Sequence, residues 1–600
     1  MMIIRILNQK YKIFVLSLIF LLGTLIYSNT FYSPFHFDDI HFIANNFLIR
    51  DISNLRGIWN FFPGRFIVFI TLALNYHFHQ LNVFGYHLFN LAIHLGSAIL
   101  VWWLGMLIFS TPVMEKDGLF KNSKWVALFA ALIFLVHPLQ TESVTYIWQR
   151  CTSLGGFFYL FSICLYIKSR LLWRQNSLFS KRIIVYALSL IFAAMSMFTK
   201  ENSITLPAMI ILSEFCFFKP VKFSSWKYAM PFLFLLPIIP IILSFPQPQS
   251  FNTGGHYLLT QFRVVVTYIR LLFIPLNQNL DYDYPVVNSL INLPALISFV
   301  FLVVIIVSAI LVFYKYRLVS FGILWFFLTL SPDSSFVPLD DVIFEHRLYL
   351  PIVGSSFAVV SFIYYFFKHK TLKLMVVALL VIISCYAMLT YRRNFIWKDK
   401  ITLLNDVIRK SPMKARSYNN RGNAYKEQGN IQQAISDYTK GIAINPRDAE
   451  IYSNRGSAYK DQGNIQQALS DYNKAIEINP HFFVAYDNRG ITYYQQGNFI
   501  QAISNYNKAI AINSDYAGAY YNRGTAYVKQ GNFVQAISDY TKAIAINSRY
   551  AEAYNNRGGA YYVIKEYDQA WVDVHKAEGL GYLVHPGFLA ALKKASAREK

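Results

Sequence analysis

Two adjacent carboxylates, Asp38 and Asp39, stand in a loop dense in aromatic and imidazole rings (Phe35, His36, Phe37, His41, Phe42). Isolated cations recur further on at Arg65, Arg150, Lys200 and Arg347. Polar groups accompany them: His137 and Glu142 in His-Pro-Leu-Gln-Thr-Glu, Glu201 directly after Lys200, and Glu345 opening Glu-His-Arg-Leu-Tyr-Leu-Pro. A carboxylate can accept the proton of an attacking hydroxyl, and fixed cations can take up charge that grows on a departing phosphate. The set therefore suits transfer from a lipid-linked phosphate donor as its anomeric carbon–phosphate bond breaks. That chemistry asks for no metal or other cofactor, since cations neutralise the leaving group. Side chains at i and i+1 do not both face one ligand, so one aspartate acts as base and the other supports it, with Asp38 preferred. Each residue also has a plainer reading: Asp38-Asp39 as a turn, Arg347 as an interfacial anchor, Lys200-Glu201 as an ion pair sealing a span. His137 and Glu142 could join a divalent cation, but a capping role at a helix end is favoured. His94 reads as a packed histidine, and Asp281 and Asp283, flanked by tyrosines, as either a sugar contact or a loop turn.

What must position these groups is a membrane. The chain has 600 residues, 55% hydrophobic and only 14% charged, against roughly 25% charge in soluble proteins. A net charge of +23 could suggest a polyanion-binding tail, but 27 basic and 14 acidic residues precede residue 392 and 28 and 18 follow, so the excess is spread thinly. Cys151, Cys164, Cys216 and Cys385 show no metal-ligand spacing and imply no disulfide framework. Apolar runs at 12–27, 84–109, 125–136, 151–167, 183–199, 204–218, 226–245, 293–314, 318–330, 349–367 and 372–391 make about eleven candidate spans. The first follows Arg5, Lys10 and Lys12 without a small-residue cleavage site and reads as an uncleaved anchor.

Loop cations set the orientation. The N-terminus and alternate loops carry 19 cations and two acids, including Lys219, Lys222, Lys227, Lys368 and Lys370, and so face the cytoplasm. The intervening loops carry eight cations and eleven acids, among them every candidate site residue named above.

After residue 391 the chain turns polar and periodic. Asn-Arg-Gly recurs at Asn420, Asn454, Asn488, Asn522 and Asn556, always 34 residues apart, the period of a helix–turn–helix solenoid unit. The expected organisation is a membrane domain at 1–391, a linker with an orphan helix at 392–414, five repeats at 415–584 and a capping helix at 585–600 that includes Arg598. Arg421 and its counterparts can pair with Asp437, Asp471, Asp539 and Asp573. The asparagines occupy the first-helix face that lines the groove in such superhelices, where amides can hold an extended peptide backbone.

The ordered set of motifs resembles the membrane and tetratricopeptide-repeat O-mannosyltransferases and their bacterial relatives, within the type-C glycosyltransferases. It comprises Asp38-Asp39, Arg65, Asn90-Leu91-Ala92-Ile93-His94, His137-Pro138 with Glu142 and Arg150, Lys200-Glu201, and Glu345-His346-Arg347-Leu348-Tyr349-Leu350-Pro351, followed by the repeats. The resemblance implies an all-α fold: a polytopic type-C membrane domain followed by a tetratricopeptide α-solenoid. It implies Asp38 or Asp39 as general base of an inverting transfer from a polyprenyl-phosphate sugar, mannose being the expected sugar. Arg65, Arg150, Lys200 and Arg347 are the implied phosphate contacts, with His137, Glu142, Glu201 and Glu345 in support. Where eukaryotic members have Ala-Glu-Arg, this chain has Glu345-His346-Arg347, which leaves the acid's position open. The groove asparagines resemble the ladder of the nucleocytoplasmic N-acetylglucosamine transferase and imply acceptor proteins as partners, alongside the lipid donor and the bilayer; nothing points to nucleic acid. The expected setting is a bacterial inner membrane with a cytoplasmic N-terminus and a periplasmic array, or an endoplasmic-reticulum membrane with a luminal array in a eukaryote. The competing readings are a non-catalytic membrane-anchored scaffold and a transferase directed at a glycan or lipid.

Overall fold

A computed structural model describes residues 2–218, 228–243, 254–287, 289, 291–334, 339, 341–367 and 372–596. Lys219, Lys222, Lys227, Lys368, Lys370, Arg598 and residues 226–227 and 244–245 of the expected span at 226–245 lie outside the described residues. The described residues contain helices and no strand. They fall into two compact units, Met1–Ser411 and Pro412–Lys600.

Among the described residues of the first unit seven helical stretches are long and apolar enough to cross a membrane: Gln9–Thr30, Val83–Phe109, Gly118–Val136, Ile147–Arg174, Phe179–Met197, Leu293–Leu311 and Leu372–Lys398. An eighth is possible if the pair Leu55–Phe61 and Pro63–His79, bent by 112°, is one broken span. The other four expected runs are present among the described residues as shorter apolar helices: Leu206–Phe217 after a tight turn at Glu201–Thr205, Met230–Leu233 with Ile238–Leu243, Arg317–Leu330 and Pro351–Phe367. The segment read as a long polar loop instead carries the helix Gly254–Phe273, with Arg263 and Arg270 on it.

Burial distinguishes the helices. Every residue from Val126 to Val136 is buried, as expected for a helix that is apolar all round and sits in the centre of a bundle. Leu293–Leu311 is as apolar but leaves Ile297, Val304 and Leu311 more than half exposed, a face that only lipid can cover. Close crossings use small residues: a methyl group added at Gly322 would lie 2.3 Å from the Gly354 carbonyl oxygen, so those two helices meet backbone to backbone.

The second unit is five antiparallel helix pairs, from Ala415–Glu427 with Ile431–Ile444 to Ala551–Val563 with Tyr567–Gly579, closed by Pro586–Ser596. A Cβ at Gly422 would meet the Tyr438 ring at 2.6 Å, and Gly456, Gly490 and Gly524 face Tyr472, Tyr506 and Tyr540 in the same way. The turn within each of the first four pairs runs through a glycine at positive φ (Gly429, Gly463, Gly497, Gly531); the fifth puts Lys565 there at φ 69°. The segment Lys400–Lys410, read as an orphan repeat helix, falls within the first unit, where Arg393 and Lys410 bind Asp406, each at 2.6 Å.

Candidate functional site

The site is organised around one stretch of backbone, Tyr146 to Thr152, which leads into the long helix Arg150–Arg174. The first loop folds onto it. Phe42 stacks on Trp148 at 4.1 Å, Tyr146 stacks on Trp397, and the His36 ring bonds the Trp397 carbonyl. These contacts force Phe37 to φ 42°, a conformation bulky residues rarely adopt outside strained functional loops.

That strained step leads directly into the two aspartates. Asp39 is fully buried and holds the loop in place: its Oδ1 accepts from Trp148 N–H at 2.7 Å and its Oδ2 from His36 N–H at 2.9 Å. Burial pushes the Asp39 carboxyl up to about 8; the two N–H donors and Arg150 oppose that, and Asp38 reinforces it. Asp38 is exposed, and its backbone N–H donates to the Tyr146 hydroxyl at 3.0 Å. The assignment of Asp39 as a catalytic group is therefore corrected: both its oxygens serve the fold, and only Asp38 presents a carboxylate outward.

Arg150 is corrected in the same way. Its guanidinium is fully buried, donating to Asn90 Oδ1 at 2.7 Å and to the Thr71 and Tyr86 carbonyls at 3.2 Å, with the Phe89 ring 4.6 Å away. It pins three helices, its nitrogens committed to those protein oxygens.

The next turn of the same helix reaches the remaining cations. Lys200 Nζ donates to Thr152 Oγ1 at 2.6 Å, and Thr152 donates to Gln149 at 2.9 Å. A narrow cleft runs along this face, lined by Thr152, Gly155, Gly156, Lys200, Asn202 and Arg347. A Cβ at Gly156 would collide with the Tyr349 ring at 2.8 Å, and one at Gly155 would press on Lys200 at 3.2 Å. Arg65 donates from one NH2 nitrogen to Glu201 at 2.9 Å, while its other terminal nitrogen is buried with no hydrogen-bond partner among the described residues. Arg347 is buried at the cleft and anchored on the Asp341 and Val342 carbonyls at 2.8 and 3.1 Å.

Beneath the cations lies a buried acid–imidazole pair. His346 Nδ1 is 2.6 Å from Glu142 Oε1, and the His346 backbone N–H donates to Glu142 Oε2 at 3.1 Å. Burial, then Lys200 and Arg347, drive the His346 pKa far down, and burial lifts Glu142 to about 7. The short contact requires one proton between the two. The acid that serves this segment is thus Glu142. Glu345 turns elsewhere, accepting from Asn279 N–H, Tyr282 and Gln278 at 2.6 to 2.7 Å, and so fixes the segment 278–282. His137 also lies apart: its Nε2 bonds the Leu272 carbonyl and its Nδ1 accepts from Leu139 N–H, a cap at a helix end.

Three partners carry no signal by residue type alone: the Trp148 N–H, Thr152, and Asn202, which donates to Asp333. Asn90 and His94, four apart on one helical face, could have been read as a pair. Asn90 holds Arg150, and His94 bonds the Tyr349 hydroxyl and the Leu135 carbonyl, each at 3.1 Å.

In the second unit four arginines make two-pronged pairs at 2.6 to 2.8 Å: Arg421 with Asp437, Arg455 with Asp471, Arg523 with Asp539, Arg557 with Asp573. The groove asparagines are half-buried. Four of them staple neighbouring repeats, Asn454 to Asn419, Asn488 to Ser453, Asn522 to Asp487 and Asn556 to Tyr521, at 2.9 to 3.3 Å. One amide N–H of each is therefore used inside the array; Asn420 stands in the first repeat, with no repeat before it.

Comparison with known proteins agrees with this architecture. Two family profiles match, "TPR repeat" at residues 422–463 and 490–531 and "Tetratricopeptide repeat" at 449–482 and 517–550. The human protein O-mannosyl-transferase TMTC3 is 23% identical over 479 residues, 70% of this chain and 50% of the relative. The protein O-mannosyl-transferase F38B6.6 of Caenorhabditis elegans is 25% identical over 441 residues, 69% and 60%. Tmtc3 of Drosophila melanogaster is 24% identical over 496 residues, 68% and 52%. The chain thus spans about half the length of the curated relatives it matches. Among solved structures, a crystal structure of MamA is 29% identical and covers 27% of this chain and 94% of its own, at a TM-score of 0.25. The chain is a multi-pass membrane protein with tetratricopeptide repeats, related to the TMTC protein O-mannosyl-transferases.

Proposed function

We propose that the chain transfers mannose from a polyprenyl-phosphate donor to serine or threonine hydroxyls of polypeptides that the array holds. The observation that carries this reading is the Tyr146–Thr152 backbone, which holds an outward-facing Asp38 through Asp39 and Trp148 and, at Thr152, a buried Lys200 on a cleft shared with Arg347. Asp38 accepts the proton as the hydroxyl oxygen attacks the anomeric carbon from the face opposite the phosphate, so the configuration inverts. The carbon–oxygen bond to phosphate breaks, and the polyprenyl phosphate departs with the electron pair. Lys200 and Arg347 stabilise that developing charge, and Arg65 adds its unpartnered nitrogen. In a site screened from water such cations act far more strongly than in bulk solvent. They, and not a cofactor, carry the leaving-group charge.

The loops bearing the site lie on the side away from the cation-rich loops, so we place the site and the array outside the cytoplasm, in a bacterial periplasm. Mass spectrometry of extracytoplasmic proteins from cells with and without the chain tests the reading. Loss of hexose from Ser and Thr residues is expected, and an unchanged glycoproteome overturns it.

A further inference from the structure

The middle repeat breaks the charge pattern of the array. Arg421, Arg455, Arg523 and Arg557 each meet a carboxylate on the second helix of the same repeat. Arg489 meets Asn505 instead, its Nε donating to Asn505 Oδ1 at 2.8 Å and one terminal nitrogen to Asn473 Oδ1 at 2.6 Å. The side chain is otherwise placed like its counterparts: it lies 5.4 Å from the Tyr486 ring, as Arg455 and Arg523 lie 5.6 and 5.5 Å from Tyr452 and Tyr520. Only the neutralising acid is missing. The other acid on the same helix, Asp487, is occupied by Asn522 and Tyr516 at 3.0 and 3.1 Å.

One repeat further on, a surface hollow is lined by Tyr520, Arg523, Ser538, Asp539, Thr541 and Lys542. The residues 34 positions earlier are Tyr486, Arg489, Ser504, Asn505, Asn507 and Lys508. The same place thus carries an arginine, an exposed lysine, a hydroxyl and two amides, and no acid. A guanidinium already oriented by two neutral acceptors and an aromatic face is preset for a planar carboxylate.

We infer that the third repeat is an anion-recognising position of the array, at which Arg489 and Lys508 bind the carboxylate of an acidic residue in a polypeptide lying along the solenoid. Extended concave surfaces of stacked helix pairs are built to hold such segments. The inference rests on the reading of the array as a polypeptide-binding surface, and adds the charge of the segment it selects.

The test uses the full chain in detergent and two labelled Ser/Thr-rich peptides that differ only in Asp and Glu against Asn and Gln. The acidic peptide should bind more tightly by about fivefold or more, the lower end for a charge-assisted pair half out of water, and added salt should erode the difference. Asn505→Asp rebuilds the pairing of the other four repeats, so it should fold at least as well while abolishing the preference. Arg489→Gln should abolish it too. Equal binding of both peptides to the unaltered chain overturns this inference and leaves the array a polypeptide binder; binding of neither overturns both. A preference that survives Asn505→Asp, or inorganic phosphate competing as well as the acidic peptide, also overturns the assignment.

Discussion

The division of labour between Asp38 and Asp39 makes a quantitative prediction. In Asp39→Asn one side-chain oxygen becomes an NH2 group. Whichever way the amide is turned, that group faces either the Trp148 or the His36 backbone N–H, donor against donor. A hydrogen bond is lost and a buried N–H is stranded, at a cost of about 1–3 kcal/mol. For the unit Met1–Ser411 this corresponds to an apparent melting temperature lower by roughly 1–4 °C. Asp38→Asn alters an exposed side chain and should change stability by no more than about 0.5 kcal/mol, while mannosyl transfer falls roughly 10²–10⁴-fold with loss of the base. Tryptophan-fluorescence melting of the detergent-solubilised chain, beside a transfer assay on the same preparations, reads both quantities. Near-normal transfer in Asp38→Asn, or an undisturbed melt in Asp39→Asn, refutes the reasoning.

Protonated Asp39 suits its site better than the ionised form, so its folded pKa lies above the unfolded value. The stability this confers is full below about pH 4 and is lost as pH rises through about 8; melting temperatures should fall across that window, and Asp39→Asn should remove this part of the slope. Lys200→Met should cut transfer by roughly 10²–10³-fold with little change in the melt, since among the described residues the hydrogen bond of Lys200 goes to Thr152. Arg150→Gln should do the reverse of a phosphate-site variant: it strands buried oxygens of Asn90, Thr71 and Tyr86, costs about 3 kcal/mol and reduces the yield of folded protein. In the fifth repeat, Lys565→Gly relieves a left-handed backbone and should stabilise the array by about 1 kcal/mol, seen as a higher denaturation midpoint.

Much of this was legible in the residues. An interval of 34 between Asn-Arg-Gly phrases specifies a solenoid because each unit must bury the same face against the next. The apolar runs specify spans because lipid admits little else. What the residues did not disclose were choices made by backbone geometry. Asp38 and Asp39 are chemically equivalent in sequence, and only the folded backbone, which brings the Trp148 and His36 N–H groups to Asp39, distinguishes them. Arg150 opens the helix Arg150–Arg174, and Lys200 reaches the first turn of that helix from the segment after Phe179–Met197. One meets oxygens of two packed helices, the other a threonine beside a cleft, and no residue type announces that difference. The helix Gly254–Phe273 was read as loop because its polar face, with Arg263 and Arg270, interrupts the apolar run that would mark a span.

The central claim is that this constellation transfers a sugar from a lipid phosphate. The direct measurement incubates the purified chain in nanodiscs with a polyprenyl phosphate carrying isotope-labelled mannose and a Ser/Thr-rich peptide, then determines the peptide's mass and the configuration of the new linkage. Labelled mannose on a hydroxyl, with configuration opposite to that in the donor and absent with Asp38→Asn, is the predicted result. A peptide that stays unlabelled, or a linkage of retained configuration, contradicts it.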